Sequence, residues 1–272
     1  METLIALTLS SLVVLLAAHT FLVQNRFHAT QRLRTMAQDN VRGATELVAR
    51  EVRTALADGI LVAGPRTLTV RSPVAVTLVC SRQGVPNLDV YNDGGEAALD
   101  TEEIAGAARR DPGTGAWEAV NAPWTALDGS TADPAGNCAE NGADTTGVAG
   151  SFHRLALSGS FFSTNPRSGD LVMLFRETTF EIRDSELEPG SLGLFRAAYG
   201  DPPVEFATGI DTSMRFRYRV AGGGYSDTVS AGALASIDAV RLTAAARKPP
   251  PTGGAADVTF GWTVTIPMRT VR

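Results

Sequence analysis

Lysine is all but missing from this 272-residue chain: of its 24 basic residues only Lys248 is a lysine, and Pro249 to Pro251 follow it directly. Schiff-base, P-loop and Ser-Lys chemistry each need a positioned amine, so each is left with one poorly placed atom. The arginine excess reads as the codon usage of a GC-rich genome. Histidine is nearly as scarce, with His19, His28 and His153 far apart. No HxxxH zinc pair or metalloprotease helix can be built from them locally. A nucleophile elbow and a complete glycine-rich dinucleotide fingerprint are also missing, so no enzyme and no cofactor is expected. The formal net charge of -5 offers no bulk attraction for nucleic acid, and none is expected as a specific partner.

Charge is missing again from Thr3 to Val23, within the opening METLIALTLSSLVVLLAAHTFLV. A run of about 21 residues rising about 1.5 Å per residue reaches across the roughly 30 Å hydrocarbon core of a bilayer. A cleaved secretory signal would want a basic start, a shorter apolar run and a small-x-small cleavage site. Here only Glu2 precedes the run, and Leu15 or Leu16 stands where a small residue belongs. Three readings compete: a signal, a plain anchor, or an apolar helix that first anchors the chain and later packs against helices like itself. Arg26, Arg32 and Arg34 on the C-terminal side would by the positive-inside rule hold the rest in the cytoplasm. An outward domain is expected instead, with a short basic leader preceding this sequence.

From Gln24 to Ala57 there is no proline and a single glycine, Gly43. Phe27, Leu33, Met36, Val41, Leu47, Val48 and Val52 recur at steps that keep a stripe on one helical face. Arg42, Glu46, Arg50, Glu51 and Arg53 lie between them and are expected on the wet face, with Asp58-Gly59 as the stop. The two runs join into one helix of about 55 residues, roughly 80 Å long. Beyond Gly59 the period becomes two: Leu68, Val70, then Val74, Val76, Leu78 and Cys80; Met214, Phe216, Tyr218 and Val220; Val258, Phe260, Trp262, Val264 and Ile266. Half-buried antiparallel strands alternate in this way. Strands after one long helix predict an α+β fold, a sheet packed on the helix, with residues 1–58 as anchor and stalk and 59–272 as the β-rich domain.

Residues 84–150 are rich in Gly, Ala, Asp, Asn, Thr and Pro and read as a loop-rich insertion, anchored by Trp117 and Trp124. Cys80 and Cys138, the only cysteines, bracket most of it. A disulfide between them would close a loop of nearly 60 residues, worth roughly 4 kcal/mol by chain entropy; two unrelated buried thiols are the alternative. Asp89, Asn92, Asp93 and Glu96 around Gly94-Gly95 faintly suggest a calcium loop, but Tyr91 stands where a second oxygen ligand belongs, and a turn is preferred. Glu181, Asp184, Glu186 and Glu188 read as a solvated edge. Arg215, Arg217 and Arg219 could meet phosphates, but a solvent-facing strand surface is the simpler reading.

Thr3-Leu4-Ile5 before the apolar run, Asn40-Val41-Arg42, and the segment Glu46-Leu47-Val48-Ala49-Arg50-Glu51-Val52-Arg53 together resemble the type IV pilin and pseudopilin superfamily. The likeness is to its large minor subunits, the J-type pseudopilins of type II secretion and the W-type minor pilins. Gly169 to Arg176, Met214 to Tyr218, Ile237 to Leu242 and Thr263 to Arg272 resemble its later strands, while about residues 84–150 stay unmatched. The family carries Gly before its cleavage point and Glu after Thr-Leu-Ile; this chain has Met1-Glu2 and Ala6 there. The resemblance implies a structural subunit held in the bacterial inner membrane, its C-terminal domain in the periplasm or on an extracellular filament. Its helix, through Phe27, Leu33, Met36, Val41, Leu47 and Val48, would join other pilin or pseudopilin subunits in a pilus or secretion pseudopilus, and Ala6 would suit the tip. The alternative is a single-pass anchored binding or adhesion domain that never polymerises.

Overall fold

The computed structural model describes residues 2–56, 58–82, 87–92, 104–111, 113, 115, 117–121, 124–126, 134–140, 151–157, 162, 166–248 and 258–268. One helix, α1 (Glu2–Thr54), opens the chain without a break. The turn after it is built differently from the expected stop: Asp58, not Gly59, takes the left-handed conformation at φ 61°. Gly59 is needed for another reason, since a Cβ there would lie 2.7 Å from the Leu56 carbonyl oxygen.

Fourteen described strands follow: β1 (Ile60–Ala63), β2 (Thr67–Arg82), β3 (Asn87–Asn92), β4 (Gly106–Arg110), β5 (Trp117–Asn121), β6 (Trp124–Ala126), β7 (Ser151–Leu157), β8 (Leu171–Asp184), β9 (Leu192–Ala198), β10 (Val204–Ile210), β11 (Arg215–Val220), β12 (Tyr225–Ser226), β13 (Ile237–Lys248) and β14 (Val258–Pro267). A short helix, α2 (Pro134–Glu140), lies between β6 and β7. The strands run β12-β11-β13-β10-β9-β8-β2-β3-β7-β6, with β14 beside β13, β1 beside β2, and β4 carrying β5 beside β8. All described ladders are antiparallel, and the architecture is α+β. On one edge of β8, β9 pairs with residues 178–184 and β4 with 172–175, so the sheet forks there into two lobes, each with its own core.

The larger core lies under α1. Ala37, Val41, Ala44, Val48, Ala49 and Val52 are buried against Leu68, Phe180, Leu194, Phe216, Tyr218 and Leu242. Alanines at close helical intervals let α1 settle near the strands, and the valines fill the space between. The boundary near residue 58 therefore separates elements of the sequence and not cores, because the second half of α1 is part of the β domain. The expected alternation holds into β11, where Phe216 and Tyr218 are buried, as is Met214 just before the strand.

In β2 the alternation changes face. Leu68 and Val70 are buried, but Val76 is 51% exposed and Leu78 37%, while Thr77 and Val79 are buried. One extra residue sits between Pro73, opposite Phe175, and Ala75, opposite Leu174. A single inserted residue turns the side chains that follow it to the other face, so the single-face reading is corrected for Val76 and Leu78; Cys80 is buried all the same, next to a second register shift, against β3, between Val79 and Ser81. Proline, which cannot donate to a ladder, suits such a bulge.

The stretch 84–150 is less loop-like than its composition predicts, since β3, β4, β5, β6 and α2 all fall within it. β4 is the instructive case, because Gly-Ala-Ala is a poor strand former. Its smallness is the reason it fits: Ala107 and Ala108 are fully buried, and a Cβ on Gly106 would collide with the Val120 carbonyl and the Phe175 ring. The second core joins Ala107 to Val79, Leu88, Val90, Phe162, Val172 and Leu174.

Candidate assembly interface

Two surfaces of α1 have different fates. Residues 2–7 and 9–28 are exposed throughout, including Leu4, Ile5, Leu12, Leu15, Phe21 and Phe27. The helix is long and apolar enough near its N-terminus to cross a membrane. Its hydroxyls suit that setting: Ser10 donates to the Leu7 carbonyl at 3.0 Å and Thr20 to the Leu16 carbonyl at 2.8 Å. Such bonds leave no side-chain donor to be satisfied by water. Thr3, Leu4, Ile5 and Ala6 occupy the first turns, all exposed.

Of the expected assembly face, Val41 and Val48 are buried in the chain's own core and Leu47 packs partly against it. Val41 and Val48 hold the sheet and have no surface left for a second helix, while Leu47 keeps part of its own. Leu33 is half-buried, while Met36 at 44% and Phe27 at 60% remain exposed. The available surface is therefore N-terminal to Ala37, because the sheet's cover begins there.

Glu51 overturns another expectation. Placed on the wet face by its charge, it is only 3% exposed. Its carboxylate accepts from Arg176 Nη2 at 2.8 Å and from Ser72 Oγ at 3.1 Å, with Arg196 Nη2 at 3.7 Å. Spacing could have found it, since Glu51 follows Val48 by three residues and Ala44 by seven, squarely on the buried stripe. The contact pins the last turns of α1 to β2, β8 and β9.

Cys80 and Cys138 lie at disulfide distance and are bonded, with Cα atoms 4.9 Å apart. Both are buried, and the bridge fastens α2 to β2. Beside it Asp89, fully buried, receives both nitrogens of a bidentate fork from Arg154, at 2.7 and 2.9 Å. That pairing commits the carboxylate which the calcium alternative would have used; Asp93 and Glu96 lie outside the described residues. Among the described residues no group of three or more His, Cys, Asp or Glu could hold a metal ion.

The arginine stripe of β11 is matched by carboxylates. Arg217 Nε lies 2.9 Å from Asp227, Arg215 3.9 Å from the same residue, and Arg219 Nε 2.7 Å from Asp238. The Asp238 hydrogen bond raises the Arg219 pKa further. In the acidic cluster Arg183 meets Glu186 at 2.8 Å. Glu205, which the sequence did not single out, accepts the Glu186 and Leu187 amides at 2.9 and 3.1 Å and so builds that turn.

A groove of about 630 Å³ runs between α1 and β14. Phe260, Trp262 and Val264 form its apolar wall, and Asp39, Arg42 and Arg53 stand on the helix side. Compared with family models, curated proteins and solved structures, the chain finds no match.

Proposed function

We propose that this chain is a structural minor subunit of a type IV pilus or type II secretion pseudopilus, membrane-held first and then assembled through its N-terminal helix. The observation that carries the reading is the division of α1. After Ala37 the apolar face is consumed by the chain's own sheet, while before it the helix stays open, apolar on all sides as far as Val23 and keeping Phe27 and Met36 exposed among Arg26, Arg32 and Arg34 beyond that. Before assembly lipid solvates that surface; in a filament neighbouring helices bury it, with Ser10, Ser11, Ala17 and Ala18 allowing close approach. Assembly replaces catalysis as the mechanism. Ala6 in place of a charged residue needs no partner in a dry helical core and suits a subunit at the tip, with the β domain facing the periplasm or the exterior.

The test is a photoreactive amino acid in place of Phe27 in native membranes. The expected product is an adduct with another protein that has an apolar N-terminal helix of its own. Adducts with lipid alone would overturn the reading and leave a solitary anchor.

A further inference from the structure

Sheets usually protect their edges with short strands, charges, prolines or bulges, because an unpaired edge is a template for another chain. This sheet does so at both ends of its main path, where β12 has two residues and β6 three. β14 is different. It runs for ten residues, Val-Thr-Phe-Gly-Trp-Thr-Val-Thr-Ile-Pro, with no charged side chain and proline only at its last position. Its ladder with β13 is unbroken from Ala239↔Pro267 to Lys248↔Val258, so no bulge twists the edge away. Among the described residues β13 is its only strand neighbour.

The groove against α1 flanks that edge. Trp262 is 48% exposed and stacks on Phe260, ring centroids 6.3 Å apart. On the helix side two acids, Asp39 and Glu46, balance Arg42 and Arg53, and Arg42 already meets Glu46 at 2.8 Å. A charged insertion would find no net counter-charge there, whereas an uncharged one loses nothing.

We propose that β14 is a docking edge for an extended, uncharged segment of another protein, apolar at alternate positions. The segment adds as a strand, its main chain bonded to β14 and its inward side chains laid over Phe260 and Trp262. Main-chain bonding supplies affinity and the groove supplies selectivity, as in other strand-addition complexes. A second copy of this chain is the competing occupant. Antiparallel pairing of two β14 edges puts a two-fold axis perpendicular to the sheet, which reverses every direction in the sheet plane, that of α1 included. The two apolar half-helices would then point opposite ways and could not share one membrane. This exclusion rests on the membrane reading of α1; the strand edge does not.

The test uses the full chain in detergent micelles and a synthetic peptide alternating threonine and valine, as long as β14. A control peptide of the same composition groups its valines together. At about 1 mM peptide, enough to half-saturate a weak site, amide exchange within residues 258–267 should slow by about twofold, the factor 1 + [L]/Kd at half-saturation, with the alternating peptide and not with the control. Trp262→Glu should weaken binding by about tenfold, a change of about 1.4 kcal/mol. No slowing, equal slowing by both peptides, or unchanged binding by a folded Trp262→Glu would each overturn the proposal. So would protection that rises with protein concentration and needs no peptide, which would assign the edge to a second copy. If Trp262→Glu does not fold, the two peptides on the unaltered chain still decide. Loss of helix-mediated assembly would leave these outcomes untouched, so this proposal and the filament reading fail separately.

Discussion

Glu51 on α1 and Arg176 on β8, 125 residues apart in sequence, meet at 2.8 Å beneath the helix, with the carboxylate buried and Arg176 27% exposed on its side chain. The pair fixes where the helix leaves the sheet, and hence where the projecting half begins. Removing one partner of a buried ion pair strands the other. Glu51→Ala should therefore cost about 3 kcal/mol, at the low end for such pairs because Arg176 is partly wet. At roughly 2–4 °C per kcal/mol, that lowers the melting temperature by about 6–12 °C. Glu51→Leu with Arg176→Met should cost less than Glu51→Ala alone, because nothing charged is left unpaired. Thermal unfolding of the full chain in detergent checks both; a change within about 0.5 kcal/mol in Glu51→Ala would show that the pair pins nothing.

The Cys80–Cys138 bridge closes a 58-residue separation, and chain entropy gives it a worth of roughly 4 kcal/mol. Non-reducing mass spectrometry of native material should show the linked peptides. Cys138→Ala should speed amide exchange in β3 and β7, which α2 contacts, and leave β11 and β13 unchanged because they belong to the core under α1. Equal acceleration in both lobes would show that they are not separately stabilised.

Tyr218 is fully buried and donates to the Gly64 carbonyl at 2.8 Å. Burial raises its pKa well above the ordinary value of 10.0, against the smaller opposing effect of that hydrogen bond. A folded pKa above the unfolded one means the contribution is whole below pH 10 and is withdrawn as pH climbs past it, by about 1.4 kcal/mol per pH unit. Denaturant midpoints from pH 8 to 11 should fall steeply above 10 in the unaltered chain. Tyr218→Phe should start about 1 kcal/mol lower for the lost hydrogen bond and show a shallower alkaline fall. Parallel curves would place the alkaline loss elsewhere.

Much of this architecture was legible because periodicity reports burial directly. The 3.6 period of α1 and the alternation of Met214, Phe216 and Tyr218 survive into the structure unchanged. What was not legible has physical causes. The bulge at Pro73–Ala75 shifts β2 by one residue, which no count of apolar positions can reveal in advance. β4 is a strand because Phe175 needs small residues opposite it, a fact of tertiary packing and not of propensity. The charge of Glu51 points to the wet face, whereas its position after Val48 and Ala44 puts it on the buried one, and position wins because Arg176 and Ser72 are there to receive the carboxylate. Within the expected assembly stripe, Phe27 and Val48 look alike as apolar residues of one helix; only the extent of the sheet separates them.

That separation yields the sharpest test of assembly. Phe27 is 60% exposed and Val48 not at all, so the same substitution should have opposite consequences at the two positions. Val48→Asp puts an unpaired carboxylate into the core under α1, at a cost of several kcal/mol, and should unfold the domain whether or not a filament exists. Phe27 and Met36 are exposed and belong to none of the core clusters, so Phe27→Asp and Met36→Asp should leave the domain's stability within about 0.5 kcal/mol of the original. In an assembled filament the buried Phe27 would contribute roughly 1.5–3 kcal/mol at its helix contacts, and a buried carboxylate there would add its own desolvation cost. Pull-down of the intact chain from native membranes should then lose pilin-like partners in Phe27→Asp and Met36→Asp while the domain stays folded. If both variants keep their partners, those partners do not touch this face of α1, and the chain is a solitary anchor carrying a binding domain.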